Sequence, residues 1–495
     1  MVKFFKKHPY FFWLLVIFLI SIFFRTYEVI ERLNFAHDSD LASWIVKDIV
    51  VNHHYRLIGQ LTTAEGIFIG PLFYYLLIPF YLITKMDPVG SIILITLLGI
   101  LTTLSYYYVF AKLFNQKVGL IAAFLQATLI SSVTFDRWIV PSSPTNLWSI
   151  WLFYVVIMLV RGRQFVLVIL GALVGLIWHI HIALAPALLS VIPAFVLNFK
   201  FPKIKYIAGF LIAFFIGSIP LIFFETRHNF SQTLALISNF TTNHGGGSGL
   251  GKLNLLTIKM GSSADALFFS PQSFFLDEKR ILLAIILLST ILLPKCKLIK
   301  WKELIVLLAW IFGVIIFFTL SSSPVSEYYF ASTNVILIFF VSLWFSFLYE
   351  KRKWGKYLVL ILLSIILIKN LFFFMTVNVY NQGYVEKKMA VEYIIKDSKK
   401  KNYPCVAISY ITRPGDNVGF RYFFWLNNLH VNEPKSGSPV YTLVIPEEMA
   451  EGVNNVIFGH IGVIVPEKTY TQAEINRTCS GGNSNLTDPM LLYTE

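Results

Sequence analysis

The stretch NFAHDSDLASW, residues 34–44, decides how the rest of the chain is interpreted. Two carboxylates within it, Asp38 and Asp40, stand just after the first long apolar run, where the chain is expected to leave a lipid bilayer. The chain does not turn back into lipid at once, because a mixed polar and amphipathic segment continues to about Asp87. Acids directly behind a membrane span indicate a functional site, since ionisable residues near lipid are costly.

The composition is that of a polytopic membrane protein. Of the 495 residues, 56% are hydrophobic and 14% are charged, whereas a soluble domain usually has about a quarter of its residues charged. The net charge of +14 does not indicate a nucleic-acid partner, because the basic residues stand in small clusters between apolar runs, the pattern that sets membrane topology. The N-terminal apolar run is expected to be a retained signal anchor, since no small-residue cleavage site follows it.

The number of membrane spans follows from the apolar runs, since a spanning helix needs about 20 mostly apolar residues. About eleven runs are predicted to be spans. A further apolar run at 67–84 contains Gly70, Pro71 and Pro79, and counting it as a span would reverse the side of every later loop. The predicted spans are 8–24, 89–111, 118–135, 144–160, 164–180, 182–199, 205–224, 281–295, 303–320, 332–349 and 355–376.

The distribution of charge decides the placement of 67–84, because basic residues collect in cytoplasmic loops. With 67–84 on the outer surface, the short inside segments are basic and contain few acids. We therefore predict an interfacial helix at 67–84, a cytoplasmic N-terminus and an extracytoplasmic C-terminus, in a plasma membrane. Inside residues include Lys112, Lys117, Arg161, Arg163, Lys203, Lys205, Lys295, Lys297, Lys300 and Lys302; outside acids include Asp48, Asp136, Glu225, Asp265, Asp277, Glu278 and Glu327.

Three outer regions are long. In the first, 25–88, apolar residues from Leu41 to Ile49 fall on one helical face, which predicts an amphipathic helix on the membrane surface. The second, 225–280, contains the glycine-rich run 245–249 (GGGSG), which is typical of a flexible hinge or lid.

The third outer region has the alternating strand and helix patterns of a small α/β domain. We predict a transmembrane domain at 1–382 and an extracytoplasmic α/β domain at 383–495. Cys405 and Cys479 both lie in the second domain. They could form a disulfide or remain two thiols, because the sequence does not show whether they are close.

Ionisable residues at the outer ends of the predicted spans are the main candidates for chemistry. A carboxylate could activate an acceptor hydroxyl or amine, or could hold a divalent metal ion. Arginine could stabilise a leaving phosphate, because its planar guanidinium makes paired hydrogen bonds to phosphate oxygens. These residues indicate a polar or phosphate-bearing substrate presented from the lipid. The candidates are Asp38, Asp40, Glu65, Tyr74, Asp136, Arg137, His181, Glu225 and Arg227.

Each candidate also has a purely structural interpretation. Asp38 could be the N-cap of the surface helix, and Asp136 could pair with its neighbour Arg137. His181 could be a packing histidine, and Tyr74 could belong to the aromatic belt at the membrane surface. Asp40 could be a solvated acid at the helix start, and Arg137 could be an interfacial anchor. Glu225 and Arg227 could form a surface ion pair.

The order and spacing of these residues resemble the GT-C membrane glycosyltransferases, specifically the group that contains protein O-mannosyltransferases and the lipid A aminoarabinose transferase (glycosyltransferase family 39 and relatives). The resemblance covers about residues 10–350. Two departures are Asp-Ser-Asp at 38–40 in place of Asp-Glu, and Gly-Pro at 70–71 in place of Pro-Pro. The matching elements are Asp38 and Asp48, residues 70–75 (GPLFYY), Lys112-Leu113-Phe114, Asp136-Arg137-Trp138 with Pro144 and Asn146, His181, and residues 224–228 (FETRH) after Pro220.

Together with the apolar runs, the resemblance implies an all-α polytopic membrane protein of the GT-C type, with about 11 transmembrane helices, interfacial helices and a small C-terminal α/β domain. It implies inverting transfer of a sugar from a polyprenyl-phosphate-linked donor on the outer face, with Asp38 as general base. We assign Asp136 as a second acid, and Arg137 and Arg227 as phosphate binders. The sugar and the lipid, glycan or protein acceptor stay open, and no metal cofactor is implied because family members differ in metal dependence.

Two other functions fit a polytopic membrane protein. A transporter or flippase of lipid-linked saccharides would need charged residues along a path through the middle of the membrane, whereas the centres of the predicted spans are almost free of charge. A non-catalytic scaffold would leave the acids at the outer ends of the spans without a purpose. We therefore expect a glycosyltransferase.

Overall fold

The computed structural model describes residues 9–62, 64–198, 200–241, 249–269, 279–322, 324–351, 353–377, 381–450 and 455–487. The protein is 69% helical with a small C-terminal sheet, which confirms the predicted fold class. Residues 245–248 of the predicted hinge, and the acids Asp277 and Glu278, lie outside the described residues.

Contacts within the chain divide it into two compact units. Residues 1–27, 57–73 and 95–377 form one, here called the helical unit. Residues 28–56, 74–94 and 378–495 form the other, here called the mixed unit. The predicted first outer loop therefore contributes to both units.

Helices occupy the predicted spans of this multi-pass membrane protein. Among the described residues, five helices are long and apolar enough to cross a membrane, and further apolar helices have 10–17 residues. The α-helices up to residue 377 are Pro9–Thr26, His37–Val51, Leu72–Ile83, Gly90–Leu113, Gln116–Thr128, Ile130–Phe135, Thr145–Val160, Leu167–Ile180, Val191–Val196, Ile204–Arg227, Ser231–Thr241, Gly249–Phe269, Ile281–Ser289, Leu292–Lys295, Trp301–Leu320, Asn334–Lys351 and Lys353–Thr376, with 3-10 helices at Gln164–Val166, Ile182–Ser190 and Glu327–Thr333.

Two predicted spans are interrupted. The run 118–135 is divided at Leu129, whose extended backbone (φ −66°, ψ 126°) ends one helix and precedes the next. The run 182–199 begins as a 3-10 helix that contains Pro186, which cannot donate a backbone hydrogen bond. The first interruption creates the short helix Ile130–Phe135 with Asp136 at its C-terminus, so it positions a candidate residue.

The run 67–84 contains the helix Leu72–Ile83, with Pro79 inside it. Its 12 residues span about 18 Å at the usual rise per residue. The hydrocarbon core of a bilayer is about 30 Å thick. The helix is therefore shorter than a membrane span, which agrees with the predicted interfacial position.

Glycines bring the helices Leu167–Ile180 and Ile204–Arg227 close together. A Cβ on Gly171 would collide with the backbone of Phe210 on the facing helix, and Gly175 meets that helix in the same way one turn later. Small residues at helix contacts let apolar helices pack closely in lipid, where the hydrophobic effect does not drive association. This contact fixes the ends of both helices, where candidate residues lie.

A five-stranded sheet in the mixed unit consists of β1 (Cys405–Thr412), β2 (His430–Asn432), β3 (Val440–Ile445), β4 (Val456–Phe458) and β5 (Ile461–Ile464). The strand order is β2-β1-β3-β5-β4. β1 pairs in parallel with β2 and β3, and β5 is antiparallel to β3 and β4. A disulfide joins Cys405 to Cys479, so these two cysteines are not free thiols. The accompanying α-helices are Tyr384–Lys400, Phe420–Leu426 and Gln472–Thr478.

The helix His37–Val51 forms as the amphipathic pattern predicts, but protein covers its polar face as well as its apolar face. Trp44 packs edge-on against Tyr422, with ring centroids 5.3 Å apart. Lys47, on the polar face, is buried, and its Nζ donates to the carbonyl oxygen of Leu486 at 2.7 Å. The C-terminal segment thus encloses a helix that its pattern alone would place on a membrane surface.

Candidate active site

Asp136 forms a buried ion pair with Arg25, in the last turn of the first helix. Nη2 and Nε of Arg25 lie 2.5 and 3.2 Å from Oδ2 of Asp136, and the two side chains are 0% and 2% exposed. The same guanidinium donates to the carbonyl oxygens of Gln126 and Ala127. The ion pair therefore ties the first helix to the break at Leu129, and the partner of Asp136 is Arg25 rather than its sequence neighbour.

Arg137, the sequence neighbour of Asp136, is anchored to other groups. Its Nη2 donates to the carbonyl oxygen of Tyr27 at 2.8 Å. Its guanidinium carbon lies 5.5 Å from the centroid of the Phe374 ring, a distance at which cation–π attraction operates. These contacts match the structural interpretation of Arg137, that of an anchor.

Asn146 connects Asp136 to a cavity. Its side chain lies close to Asp136, and Gln126 Nε2 donates to the carboxylate of Asp136 at 3.4 Å. Asn146 is the second residue of the helix Thr145–Val160 and is buried. Asn146 therefore stands between Asp136 and the cavity that it lines.

The cavity next to Asn146 has a volume of about 500 Å³. Its described wall contains hydroxyl and amide side chains and no charged side chain. Oδ1 of Asn146 and Oδ1 of Asn334 are buried and have no hydrogen-bond partner among the described residues. Both asparagines line the cavity, but these two oxygens have almost no accessible surface within it. Its lining residues are Ser131, Phe135, Asn146, Ser262, Ser263, Ala266, Ser326, Tyr328, Ala331 and Asn334.

His181 stands behind the cavity wall. Its Nδ1 accepts the backbone N–H of Ala183 at 3.1 Å, which caps the following 3-10 helix. A neutral His181 consequently carries its proton on Nε2, which lies 3.4 Å from the hydroxyl oxygen of Tyr328. Because Tyr328 lines the cavity, His181 orients a wall residue. His181 therefore has the packing role considered for it, and it also contacts a residue of the cavity wall.

The ring of His179 explains why position 70 is glycine. A Cβ on Gly70 would collide with the His179 ring. The Nδ1 of that ring accepts the backbone N–H of Leu72 at 3.3 Å, and Nε2 lies 2.8 Å from the carbonyl oxygen of Gly217. Glycine at position 70 therefore allows the start of the interfacial helix to dock on this histidine.

Glu225 caps a helix. Its Oε1 and Oε2 accept the backbone N–H groups of Gln232 and Thr233, both at 3.0 Å, at the start of the helix Ser231–Thr241. A carboxylate at a helix N-terminus satisfies free N–H groups and interacts favourably with the helix dipole. Arg227 is exposed and does not pair with Glu225 among the described residues. Glu65 is also exposed.

The mixed unit contains the other three predicted residues. Asp40 is 1% exposed, and its Oδ2 accepts the backbone N–H of Gly419 at 3.0 Å. Tyr74 is fully buried. Asp38 is half-buried and lies 3.6 Å from Nδ1 of His37. The N-cap of this helix is Ala36, so Asp38 does not have the capping role considered for it.

Some residues of these networks do not stand out in the sequence. Arg25 could have been found, because it is the charged residue that ends the first apolar run. Asn146 and Asn334 have no comparable signal, since an isolated amide at the start of an apolar run is common. Among the described residues, no group of three or more His, Cys, Asp or Glu side chains is arranged to hold a metal ion.

Comparisons by sequence find no relative: no family model matches the chain, and no curated protein matches it. Comparisons by structure find similar proteins. ArnT from Cupriavidus metallidurans bound to undecaprenyl phosphate has a TM-score of 0.55 at 10% identity, over 92% of this chain and 98% of that chain. The apo form of ArnT has a TM-score of 0.54 at 10% identity, over 94% and 98%.

The oligosaccharyltransferase of Archaeoglobus fulgidus, in complex with Zn and sulfate, has a TM-score of 0.46 at 14% identity over 88% of this chain and 68% of that chain. The likeness to ArnT extends over nearly the whole of both chains. The chain therefore has the GT-C fold of membrane glycosyltransferases, as predicted.

Proposed function

We propose that the chain is a membrane glycosyltransferase that moves a sugar from a polyprenyl-phosphate-linked donor to a lipid, glycan or protein acceptor on the outer face of the plasma membrane. The GT-C fold shared with ArnT supports this class of reaction. Undecaprenyl phosphate bound to ArnT supports a polyprenyl-phosphate donor. The observation that carries the proposal is the cavity of the helical unit, whose described wall combines apolar surface with hydroxyl and amide side chains and contains no charged side chain.

The chemistry of the cavity suits a sugar. A sugar presents several hydroxyl groups, and the cavity wall contains hydroxyl side chains and the amide side chains of Asn146 and Asn334. The serine hydroxyls of the wall can donate or accept, which suits the mixed character of sugar hydroxyls.

Asp38 is the proposed general base. It would take the proton of the acceptor hydroxyl or amine as the new glycosidic bond forms and the bond to the polyprenyl phosphate breaks. Its partial exposure leaves the carboxylate accessible. Asp40 is buried on a backbone N–H, so its proposed contribution is to position the helix that carries Asp38.

Asp136 remains in the proposal as the second acid. Its ion pair with Arg25 compensates its charge, and its carboxylate lies close to Asn146, which lines the cavity. Arg227 is the proposed phosphate binder, because it is exposed at the end of its helix. Arginine recognises phosphate oxygens through paired N–H groups.

The test is transfer by the full-length purified chain in lipid nanodiscs from labelled polyprenyl-phosphate sugars. The natural sugar and acceptor are first sought by mass spectrometry of surface glycans and glycolipids from cells with and without the protein. Asp38→Asn should reduce the rate by about 10²–10⁴-fold, the usual contribution of a general base.

The matched control is Glu467→Gln, an exposed acid of the C-terminal segment, which should transfer at the wild-type rate. Unchanged transfer by Asp38→Asn would remove Asp38 from the mechanism. Movement of the lipid-linked sugar across a vesicle without a glycosylated product would favour a flippase and overturn the proposal.

A further inference from the structure

A second cavity, of about 680 Å³, lies in the helical unit at the other end of the same helices. The helix Thr145–Val160 begins at the first cavity and is followed by Arg161, which lines the second. The helix Asn334–Lys351 likewise begins at the first cavity and ends beside the second. These helices of 16 and 18 residues are about 24 and 27 Å long, close to the thickness of a hydrocarbon core.

The wall of this second cavity is amphipathic. Phe114, Trp301 and Phe347 contribute aromatic surface, and Trp301 is half exposed, as tryptophans at a membrane surface often are. Lys297 and Lys300 contribute cationic groups at the rim. Apolar surface beside positive charge matches a molecule that has both an anionic group and a hydrocarbon part.

The acids of the wall are already paired. Oε1 of Glu303 lies 2.6 Å from Nε of Arg161, and Oε2 accepts the backbone N–H of Lys300 at 3.1 Å. Glu303 is 1% exposed, so this pair is a fixed part of the wall. Glu350 lies 2.8 Å from Nζ of Lys117.

The two rim lysines differ from those acids. Lys297 and Lys300 are exposed, and neither forms an ion pair with another described residue. Both lie in a segment that the charge distribution predicts to be cytoplasmic. Basic residues on that side of a membrane bind anionic lipid headgroups, whose negative charge they neutralise.

We infer that this cavity binds the phosphate headgroup of an anionic membrane lipid. Lys297 and Lys300 contact the phosphate, and Phe114, Trp301 and Phe347 cover the glycerol and upper acyl chains. The Arg161–Glu303 ion pair forms the base of the cavity between the helices. Inorganic phosphate shares the charge but has no part that would use the aromatic wall.

The experiment measures lipid bound to the full-length protein by native mass spectrometry after exchange into phosphatidylcholine membranes with or without phosphatidylglycerol. The wild type should retain phosphatidylglycerol in preference to phosphatidylcholine. Lys297→Gln/Lys300→Gln should retain about 25-fold less, since each basic group near an anionic surface contributes about fivefold. Trp301→Ala should also weaken retention, because the aromatic wall contacts the lipid.

The control variant is Lys203→Gln/Lys205→Gln, which removes two exposed lysines from another predicted cytoplasmic segment that does not line the cavity. It should retain the lipid as the wild type does. Equal losses in the two double variants, or no loss in either, would overturn the site. Full displacement of the lipid by millimolar inorganic phosphate, with no effect of Trp301→Ala, would assign the charge to free phosphate and overturn the lipid.

Discussion

At the scale of single residues, the ion pair of Arg25 and Asp136 has the strongest consequence. Both side chains are almost fully enclosed, and Arg25 also holds two backbone carbonyl groups beside a helix break. Removing one partner leaves an uncompensated buried charge, which typically costs about 3–5 kcal/mol, whereas replacing both with apolar groups is often close to neutral.

Arg25→Met should therefore lower the stability of the protein in detergent by about 3–5 kcal/mol. Thermal unfolding of the purified protein measures the effect. The double variant Arg25→Met/Asp136→Leu should recover most of the loss. If the double variant loses as much stability as Arg25→Met and Asp136→Leu lose together as single variants, the two side chains do not stabilise each other.

Asn334 makes a prediction of a different kind, because its side chain lines the proposed sugar cavity. If a sugar hydroxyl donates to it, Asn334→Ala should lower kcat/KM for the glycosyl donor by about tenfold, the value of one hydrogen bond in an enclosed site. Kinetics in nanodiscs with saturating acceptor measure the change. Asn198→Ala removes an amide at the end of the bundle near the second cavity and should leave kcat/KM unchanged.

At the scale of elements, the C-terminal segment positions the helix His37–Val51. Nζ of Lys387 donates to the carbonyl oxygens of Phe35 and Val418 at 2.7 and 2.9 Å. The N–H of Gly419 donates to Asp40. Gly419 has φ +91°, and a Cβ there would press on Phe35 at 3.0 Å. The start of the helix that carries Asp38 is thus built partly by residues that follow the last predicted span.

Lys387 should make stability depend on pH. Burial lowers the pKa of Lys387 to about 8, whereas an unfolded lysine titrates near its usual value of about 10.4. Between these values the unfolded chain binds more protons than the folded chain, so unfolding becomes less favourable as pH rises. The melting temperature of the wild type relative to Lys387→Met should therefore increase from pH 8 to 10. A flat difference across this range would mean that Lys387 is not desolvated.

At the scale of the whole molecule, membrane topology can be tested directly. A reporter that is active only outside the cytoplasm should be active when fused after residue 495 and inactive when fused after Arg163. The disulfide between Cys405 and Cys479 supports the first expectation, because disulfides persist in oxidising compartments. The opposite pattern would mean that the run 67–84 crosses the bilayer.

Much of the helical architecture was predictable because lipid burial depends on local composition, so each apolar run identifies its own helix. The break at Leu129 was not predictable, since nothing in its neighbourhood disfavours a continuous helix. Contacts between residues far apart in the sequence were harder still to predict. Arg25 and Asp136 are 111 residues apart in the sequence, and Asp40 and Gly419 are 379 residues apart. A local sequence pattern does not indicate which distant residues come into contact.

The long sequence separation between Asp40 and Gly419 has a consequence for biosynthesis. The helix His37–Val51 leaves the ribosome early, but Gly419 is made 379 residues after Asp40. At about 5–20 residues per second, the helix waits about 20–80 s for the segment that covers Trp44 and Lys47. During that interval its apolar face is expected to rest on lipid or on a chaperone. A nascent chain that stalls before residue 383 should therefore be recognised as unfinished by cellular quality control.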